Sequence, residues 1–400
     1  MAKILFTWEL GAGSGHIAPY TNLVNMLESQ GHEIYYILKY LNQAHPFFKD
    51  TKVTYFQAPG EYRPVIARIR NTNSAAKILF NAGHGDVDYL TAFIKAWRNL
   101  YSAINPDLII FDYSPTAMFA ARDTGAKLLA IGTGFHLPPD MNPIPTIWNE
   151  LGVKKDDKNE VLVFEKKMVK NINEAAERND ITPINHFYEL YGADRKIFRT
   201  YEEMDHYSGR ENAHYSGVLK SAPGAPPEWP DSPGPKIFAY LKPFKTLPKL
   251  LEKIKNKGFP TLIYGDGLSQ KLVKEFACKS MVFSEKRLDM DTIGKTADLA
   301  ICNAGHSASC ELLLSGKPLL LLPLNLEQHM VANNIEKLGA GLTAKKLTPE
   351  GMVQKLKTLL HEDKYRLAAE DFAKKYKDQD QNQMVNDISD TINDLIKNSG

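Results

Sequence analysis

The stretch that decides the fold begins with Lys3-Ile-Leu-Phe-Thr-Trp8, a short apolar segment followed by the uncharged loop Gly11-Ala-Gly-Ser-Gly-His16. Apolar residues then recur at helical spacing from Ile17 to Leu27, and Glu33-Ile-Tyr-Tyr-Ile-Leu38 forms the next apolar segment. This pattern predicts a strand, a helix and a second strand within about 35 residues. Such a βαβ unit requires a parallel sheet, because parallel strands need a crossover connection.

The same alternation continues along the chain. Two further strands are predicted in the first half, at Asp107–Asp112 and Lys127–Ile131. In the second half the predicted strands are Lys236–Leu241, Thr261–Tyr264, Asp298–Cys302 and Pro318–Pro323. Strands that are apolar along nearly their whole length are typical of a sheet covered by helices on both faces. The sequence therefore predicts an α/β protein with two doubly wound sheets.

The length and one proline-rich segment predict the domain boundaries. A chain of 400 residues exceeds the about 100 to 200 residues of one ordinary domain. The segment 221–235 is dense in proline, which disfavours helices and central strands and favours an extended connector. We expect a first domain at 1–220, the connector at 221–235 and a second domain at 236–380. A C-terminal helix at 381–400 can cross back to the first domain.

Composition excludes several classes of protein. Lys and Arg total 49 against 47 Asp and Glu, so the net charge of +2 provides no strong field for nucleic acid or an anionic bilayer. The three cysteines form neither a disulfide framework nor a C-x-x-C motif, which favours a cytoplasmic location. No apolar run approaches the roughly 20 residues of a transmembrane helix. A peripheral membrane contact stays open.

Two polar residues at predicted strand ends indicate a reactive site. His16 ends the glycine loop, and Asp112 ends a predicted strand. If both strands lie in one parallel sheet, the two side chains share the edge where open sheets bind ligands. A carboxylate beside one ring nitrogen fixes the imidazole tautomer, and histidine suits a general base at neutral pH. Taken alone, each residue more often only caps a helix or a loop.

A dinucleotide site is disfavoured because His16 replaces the third glycine of G-x-G-x-x-G.

A series of motifs in the second half carries a family resemblance. Asp298-Leu-Ala-Ile-Cys-Asn-Ala-Gly-His-Ser-Ala-Ser-Cys-Glu311 is followed by Gly316-Lys-Pro-Leu-Leu-Leu-Leu-Pro323, by Glu327-Gln328 and by Gly339-Ala-Gly341. The series resembles the donor-binding region of family 1 nucleotide-sugar glycosyltransferases, the UDP-glycosyltransferase-like enzymes of the GT-B fold. The Gly-His loop and the strand-terminal Asp of the first half are similar to that family's as well.

This resemblance implies a fold and an activity. It implies a GT-B fold, with two Rossmann-like domains facing a cleft and with C-terminal helices. The acceptor would bind mainly to the first domain and the nucleotide sugar to the second. The enzyme would be an inverting, metal-independent glycosyltransferase with no cofactor, and a UDP-sugar is expected over a dTDP-sugar as co-substrate. The acceptor would be a small molecule, a glycan or a lipid-linked hydroxyl compound.

The resemblance also implies residue roles. His16 would be the catalytic base, supported by Asp112, and Gly15 and His136 would contact the acceptor. The residues expected to bind the donor are Lys242, Asn303, Gly305, His306, Ser307, Ser309, Glu311, Glu327 and Gln328. Asn303 stands where the family usually places a phosphate-directed histidine, and Lys242 after its strand can supply the missing positive charge. The segment Val282–Arg287 lacks the family's tryptophan turn, so the nucleobase stays open.

Several alternatives stay open at the level of sequence. The same architecture suits a nucleotide-sugar 2-epimerase, which needs no separate acceptor, or an inactive nucleotide-sugar-binding accessory protein. Acceptor recognition is expected from residues 60–90 and 136–190. These regions contain aromatic residues that equally suit an ordinary core: Tyr62, Phe80, Tyr89, Phe93 and Trp148. The sequence predicts no oligomeric state.

Overall fold

The computed structural model describes residues 1–60, 68–153, 156–220, 224–344 and 346–398. The chain divides into two compact units, one comprising Met1–Ser221 with Asp380–Gly400 and the other Ala222–Gln379. Tyr62 of the expected acceptor region and residues 221–223 of the predicted connector lie outside the described residues. Each unit contains a six-stranded parallel sheet with helices, as expected for a doubly wound α/β protein.

The sheet of the first unit has the strand order β3-β2-β1-β4-β5-β6. Its strands are β1 (Lys3–Trp8), β2 (Glu33–Leu38), β3 (Thr54–Gln57), β4 (Leu108–Asp112), β5 (Lys127–Gly132) and β6 (Arg195–Phe198). The four strands predicted from sequence are present. The edge strands β3 and β6 escaped prediction because β3 is exposed along its length and β6 begins with two cations. Neither has the apolar run of a buried strand.

The helices of this unit follow the strands along the chain. They are α1 (Thr21–Ser29), α2 (His45–Phe48), α3 (Ala75–Leu79), α4 (Val87–Ile104), α5 (Pro115–Ala120), α6 (Ile147–Glu150) and α7 (Lys158–Glu177). The helical pattern after the glycine loop was predicted to start at Ile17. Two short 3-10 turns, Ser14–His16 and Ala18–Tyr20, precede α1 instead. Pro19 lacks the N–H that an α-helical interior requires, so the regular helix begins only after it.

The sheet of the second unit has the strand order β12-β11-β10-β7-β8-β9. Its strands are β7 (Ile237–Tyr240), β8 (Thr261–Tyr264), β9 (Met281–Ser284), β10 (Leu299–Cys302), β11 (Leu319–Leu321) and β12 (Gly341–Thr343). The helices are α8 (Leu247–Lys255), α9 (Gln270–Phe276), α10 (Met290–Thr296), α11 (His306–Leu314), α12 (Leu326–Lys337), α13 (Pro349–His361) and α14 (Asp363–Lys375). The four strands predicted for this half are present within about one or two residues at each end.

The last helix, α15 (Gln381–Lys397), belongs to the first unit. Its apolar residues Ile388 and Ile392 are buried in the core that also contains α1. Polar contacts fix its register, since Ser389 pairs with Gln30 at 3.0 Å and Asn393 lies 3.0 Å from His32 Nε2. Within the described ranges, no helix combines the length and the apolar character needed to cross a bilayer.

Glu9, directly after β1, holds the N-terminus of α5. Its carboxyl group accepts hydrogen bonds from Thr116 Oγ1 at 2.6 Å and from the Ala117 N–H at 3.1 Å. A negative charge is stabilised at a helix start, where backbone N–H groups are unpaired. The residue is nonetheless only 7% exposed, and burial raises its pKa to about 7 although both hydrogen bonds lower it. The carboxyl group is therefore close to half protonated at neutral pH.

This raised pKa makes stability depend on pH in a defined direction. Between pH 4.5, where an exposed Glu ionises, and about 7, the unfolded chain releases a proton that folded Glu9 retains. The wild-type protein therefore loses up to about 3 kcal/mol of unfolding free energy over this range and no more above it. Glu9→Gln is uncharged at every pH, so we expect it to lack this loss and to gain stability progressively relative to wild type from pH 5 to pH 7.

Urea unfolding of both proteins at several pH values measures this difference. Glu165, whose pKa burial also raises to about 7, is present in both proteins, so its contribution cancels. If the unfolding free energies of wild type and Glu9→Gln changed in parallel over this pH range, Glu9 would be ionised like an exposed carboxyl group.

Candidate active site

The carboxyl ends of β1 and β4 bring His16 and Asp112 together. The two strands pair in parallel, with Trp8 opposite Asp112, so the loop that follows β1 starts beside the carboxylate. His16 Nδ1 lies 3.2 Å from Asp112 Oδ1, and both residues are buried. The expectation that the two side chains share one edge of the sheet is confirmed.

Aromatic and backbone contacts hold the His16 ring in place. The Trp8 indole stacks on it at 4.9 Å between ring centroids, and the Tyr36 hydroxyl donates to the His16 carbonyl at 2.5 Å. Gly11 has a φ of +79°, and a Cβ at this position would lie 2.7 Å from His16 Nε2. Glycine is thus required at position 11, both for the backbone conformation and for room beside the imidazole.

His136 is the second imidazole on the same carboxylate. It follows β5, and its Nδ1 lies 3.3 Å from Asp112 Oδ1, the oxygen that also faces His16. Tyr113 stacks against its ring at 4.4 Å with an interplanar angle of 13°. The Nδ1 atoms of both histidines are enclosed, while each residue keeps 7% of its surface exposed. The exposed remainder of each ring therefore lies away from Nδ1.

Arg199 completes the cluster and was not predicted from sequence. It directly follows β6, and its guanidinium lies 3.6 Å from Asp112 Oδ2, with both side chains 3% exposed. Its Nη2 also donates to the carbonyl of Gly15, the predicted acceptor residue, at 3.3 Å. Only the short strand β6 before Arg199 could have indicated its position at this edge of the sheet. That strand was itself not predicted from the sequence.

The environment sets opposite protonation preferences for the carboxyl and imidazole groups. Burial alone would raise the pKa of Asp112, but His16, His136 and Arg199 outweigh burial and hold that pKa well below its usual range. Burial lowers the pKa of His16, Asp112 acts against this, and His136 and Arg199 add to the lowering. The arrangement is an ionised carboxylate beside an unprotonated imidazole, as a general base requires.

The same geometry raises the question of a metal ion. One ligand atom from each of His16, Asp112 and His136 lies within 4.8 Å of the others, which is close enough for the three to bind one ion. Arg199, however, places a fixed positive charge 3.6 Å from the other oxygen of Asp112. A divalent cation beside a buried guanidinium is electrostatically unfavourable. We therefore assign no metal to these residues.

In the second unit, the turn from β10 into α11 and the helix α11 together contain most of the predicted donor residues. Ala304 adopts a φ of +55°, which is uncommon for a residue with a Cβ and often marks a functional turn. The exposed Gly305 is the N-cap of α11, and no side chain caps the helix there. The first amide N–H groups of α11 are thus not bonded to a capping side chain and can donate hydrogen bonds to an anion.

Asn303 connects three strand ends. Its Oδ1 accepts from the Lys242 N–H at 2.6 Å, and its Nδ2 donates to the Leu322 carbonyl at 2.8 Å. These residues follow β7 and β11, the two neighbours of β10 in the sheet. The Asn303 side-chain amide is therefore engaged with the backbone, which places the backbone of Lys242 beside the α11 turn. Lys242 is exposed, and its ammonium group forms no ion pair with any described residue.

The other predicted donor residues on α11 differ in accessibility. Ser307 is half-buried on the first turn, whereas Ser309 is fully buried with its Oγ 3.6 Å from Cys302 Sγ. His306 is buried, and its Nε2 lies 3.9 Å from Cys310 Sγ. Glu311 is half-buried and close enough to Tyr240 to contribute to that residue's raised pKa, which burial mainly causes. Ser307 and Glu311 are thus better placed for a ligand than Ser309.

Glu327 and Gln328 lie in the first turn of α12. Asn325 caps this helix by accepting from the Gln328 N–H at 3.0 Å, and Gln328 Oε1 accepts in return from the Leu324 N–H at 2.7 Å. The Gln328 side chain therefore stabilises the helix start. Glu327 is half-buried in the same turn.

The aromatic residues of the expected acceptor region pack among helices. Tyr89 and Phe93 stack on each other along α4 at 4.4 Å. Phe80 packs against Phe164 of α7 at 5.9 Å. These three aromatic side chains thus make the ordinary packing contacts that the sequence left open.

Known proteins resemble this chain in sequence over most of its length. Residues 245–388 match the glycosyltransferase family 28 C-terminal domain. A PGL/p-HBAD biosynthesis rhamnosyltransferase of Mycobacterium bovis (strain BCG / Pasteur 1173P2) is 22% identical over 304 residues, which cover 70% of this chain. The match spans 66% of that relative, just under two thirds of its length.

Solved structures resemble the chain over its full length. The calicheamicin glycosyltransferase CalG4 is similar with a TM-score of 0.71 at 16% identity, covering 99% of this chain and 98% of that one. The glycosyltransferase VinC, solved in complex with dTDP, is similar with a TM-score of 0.66 at 14% identity, covering 99% of both chains. The chain therefore has the GT-B fold, and its residues 245–388 are similar to the C-terminal domain of glycosyltransferase family 28.

Proposed function

We propose that this protein is a glycosyltransferase that moves a sugar from a nucleotide diphosphate sugar to a hydroxyl group of an acceptor. The observation that carries the proposal is the imidazole of His16 beside the buried carboxylate of Asp112, at 3.2 Å. An unprotonated imidazole held in one orientation is the group needed to remove a hydroxyl proton. The glycosyltransferase relatives in sequence and the GT-B neighbours in structure support the same activity.

The reaction proposed is a single displacement with inversion at the anomeric carbon. The oxygen of the acceptor attacks that carbon while His16 takes the proton, and the nucleoside diphosphate leaves with the bonding electron pair. His136 and the Gly15 backbone would contact the acceptor. No metal ion is required in this scheme, because the leaving diphosphate would be stabilised by backbone amides and a lysine.

The second unit would bind the donor. The amide groups at the start of α11 would hold the diphosphate, with Ser307 beside them, and the exposed Lys242 would add a positive charge. Glu311 would accept from ribose hydroxyls and Glu327 would contact the sugar. The narrower resemblance to family 1 favours a uridine nucleotide, whereas the structural neighbour VinC was solved with dTDP. Titration with UDP and dTDP decides between them.

An epimerase on the same fold would convert the donor sugar without any acceptor. The base and its carboxylate lie at the first sheet, as expected for activation of a separate acceptor, which favours transfer. Incubation of the protein with UDP-sugars or dTDP-sugars alone tests this preference. Recovery of an epimerised sugar nucleotide would overturn the transferase proposal.

His16→Ala tests the proposed base. Because the variant lacks the group that accepts the proton, we expect transfer to slow by about 10² to 10⁴ while the affinity for the nucleotide stays unchanged. Release of UDP or dTDP in the presence of an acceptor library measures the rate, and NMR of the product reports the anomeric configuration. His45→Ala, at an exposed histidine of the same unit, is the matched control and should retain wild-type turnover. Wild-type turnover by His16→Ala would refute the assignment.

Lys242→Met tests the proposed diphosphate contact. Loss of a charged hydrogen bond of about 1.5 to 3 kcal/mol should weaken binding of UDP or dTDP by tenfold or more in calorimetry. Lys245→Met provides the control, since Lys245 is an equally exposed lysine of the same loop. Equal affinities of wild type and Lys242→Met would remove Lys242 from the donor site.

A further inference from the structure

Arg199 provides the positive charge nearest to the carboxylate of the candidate active site. The two oxygens of Asp112 face different groups, because Oδ1 lies beside the two imidazoles and Oδ2 lies 3.6 Å from Arg199 Nη2. Asp112 and Arg199 are both 3% exposed, so water contributes little to their solvation. A charge enclosed in this way must be balanced by a neighbouring charge of the opposite sign.

The position of the guanidinium is fixed by its surroundings. The backbone N–H of Arg199 donates to the Gly132 carbonyl at the end of β5 at 2.8 Å. Its Nη2 donates to the Gly15 carbonyl at 3.3 Å, and the guanidinium lies over the Tyr20 ring at 4.9 Å from the ring centroid. Arg199 thus contacts the loop that carries His16 as well as the carboxylate beside that histidine. A solvated surface arginine makes no such set of enclosed contacts.

The groups that face His16 come from every element around it. Aromatic neighbours are Trp8, Tyr36 and Tyr113, and the titratable or charged neighbours besides these are Asp112, His136 and Arg199. Tyr20 lies against Asp112 and Arg199, and burial raises the pKa of Tyr20 and of Tyr36 well above its usual value, so both phenols stay neutral. Among the described residues, the permanent charges around this imidazole are therefore one carboxylate and one guanidinium.

This charge balance decides the protonation of His16. Without a cation at position 199, protonation of His16 would give the buried carboxylate of Asp112 a neighbouring positive charge. With Arg199 present, an additional proton would leave the enclosed cluster with a net positive charge. The lowered pKa of His16, to which Arg199 contributes, agrees with this direction.

We propose that Arg199 is a positioning residue of this site, whose guanidinium balances the charge of Asp112 and thereby keeps His16 unprotonated at neutral pH. The inference about protonation stands on the geometry of the first unit alone. Its importance for sugar transfer rests on the proposed function, in which an unprotonated His16 is the base. Arg199 itself would touch neither substrate.

The test is an NMR titration of the full-length protein with ¹³C-labelled histidine, without donor or acceptor. His16→Gln assigns the ring signal of His16. We expect His16 of the wild type to be unprotonated at pH 7. In Arg199→Met, His16 should titrate with a pKa higher by about one unit or more. Arg199→Lys keeps the charge and should restore the wild-type titration.

Arg210→Met is the matched structural control. Arg210 is an arginine of the first unit whose side chain is only 7% exposed, paired with Asp205 at 2.7 Å and stacked over Phe198. We expect its loss to lower the melting temperature without moving the titration of His16. The comparison separates general destabilisation from loss of the charge at Arg199.

Two results would overturn the proposal. One is a folded Arg199→Met protein, verified by circular dichroism, whose His16 titrates as in the wild type. The other is a protonated His16 in the wild type at pH 7, which needs no variant and stays informative if Arg199→Met fails to fold. Because no substrate is added, failure of the glycosyltransferase proposal would leave this titration unchanged, and the two claims can fail separately.

Discussion

The buried carboxylate of Asp112 is the constraint on which the candidate active site depends. It lies at the end of β4, and the residues that face it follow strands β1, β5 and β6 of the same sheet. A parallel sheet places these strand ends on one edge, so residues far apart in sequence converge on a single charge. Both the glycine loop and the guanidinium of Arg199 are positioned by contacts with this cluster. Removing Asp112 would leave a buried cation without a partner, which explains why the interaction matters beyond the histidine it orients.

The anion site proposed for the second unit depends on a different principle. Asn303 joins the ends of three neighbouring strands, and the turn at Ala304 directs the uncapped start of α11 to the same edge. Backbone amides and one exposed lysine are sufficient for a diphosphate, so the protein needs no large excess of positive charge. This agrees with the overall charge of +2. Chemistry in the first unit and anion binding in the second are the two halves of the proposed transfer reaction.

The sequence predicted some of these features and not others. The alternation of apolar strands and helices predicted both sheets, and the strand-end rule predicted that His16 and Asp112 meet. Arg199 could not be predicted in the same way, because β6 is short and begins with Arg195 and Lys196. The accessibility of Ser309 was likewise not predictable from its motif, since the rotation of α11 about its axis decides which serine faces the core. Burial of Glu9, which raises its pKa, depends on packing that no local pattern reveals.

The ionisation of Asp112 is the most direct test of this account. The carboxyl ¹³C signal of Asp112, assigned with Asp112→Asn, can be followed by NMR from neutral pH down to the acid limit of the folded state. The account predicts that the signal does not titrate over this whole range, because two imidazoles and a guanidinium stabilise the charged form. A midpoint at or above the ordinary pKa of an aspartate would show that the carboxyl group is protonated by burial, and would contradict the charge balance on which the proposed base depends.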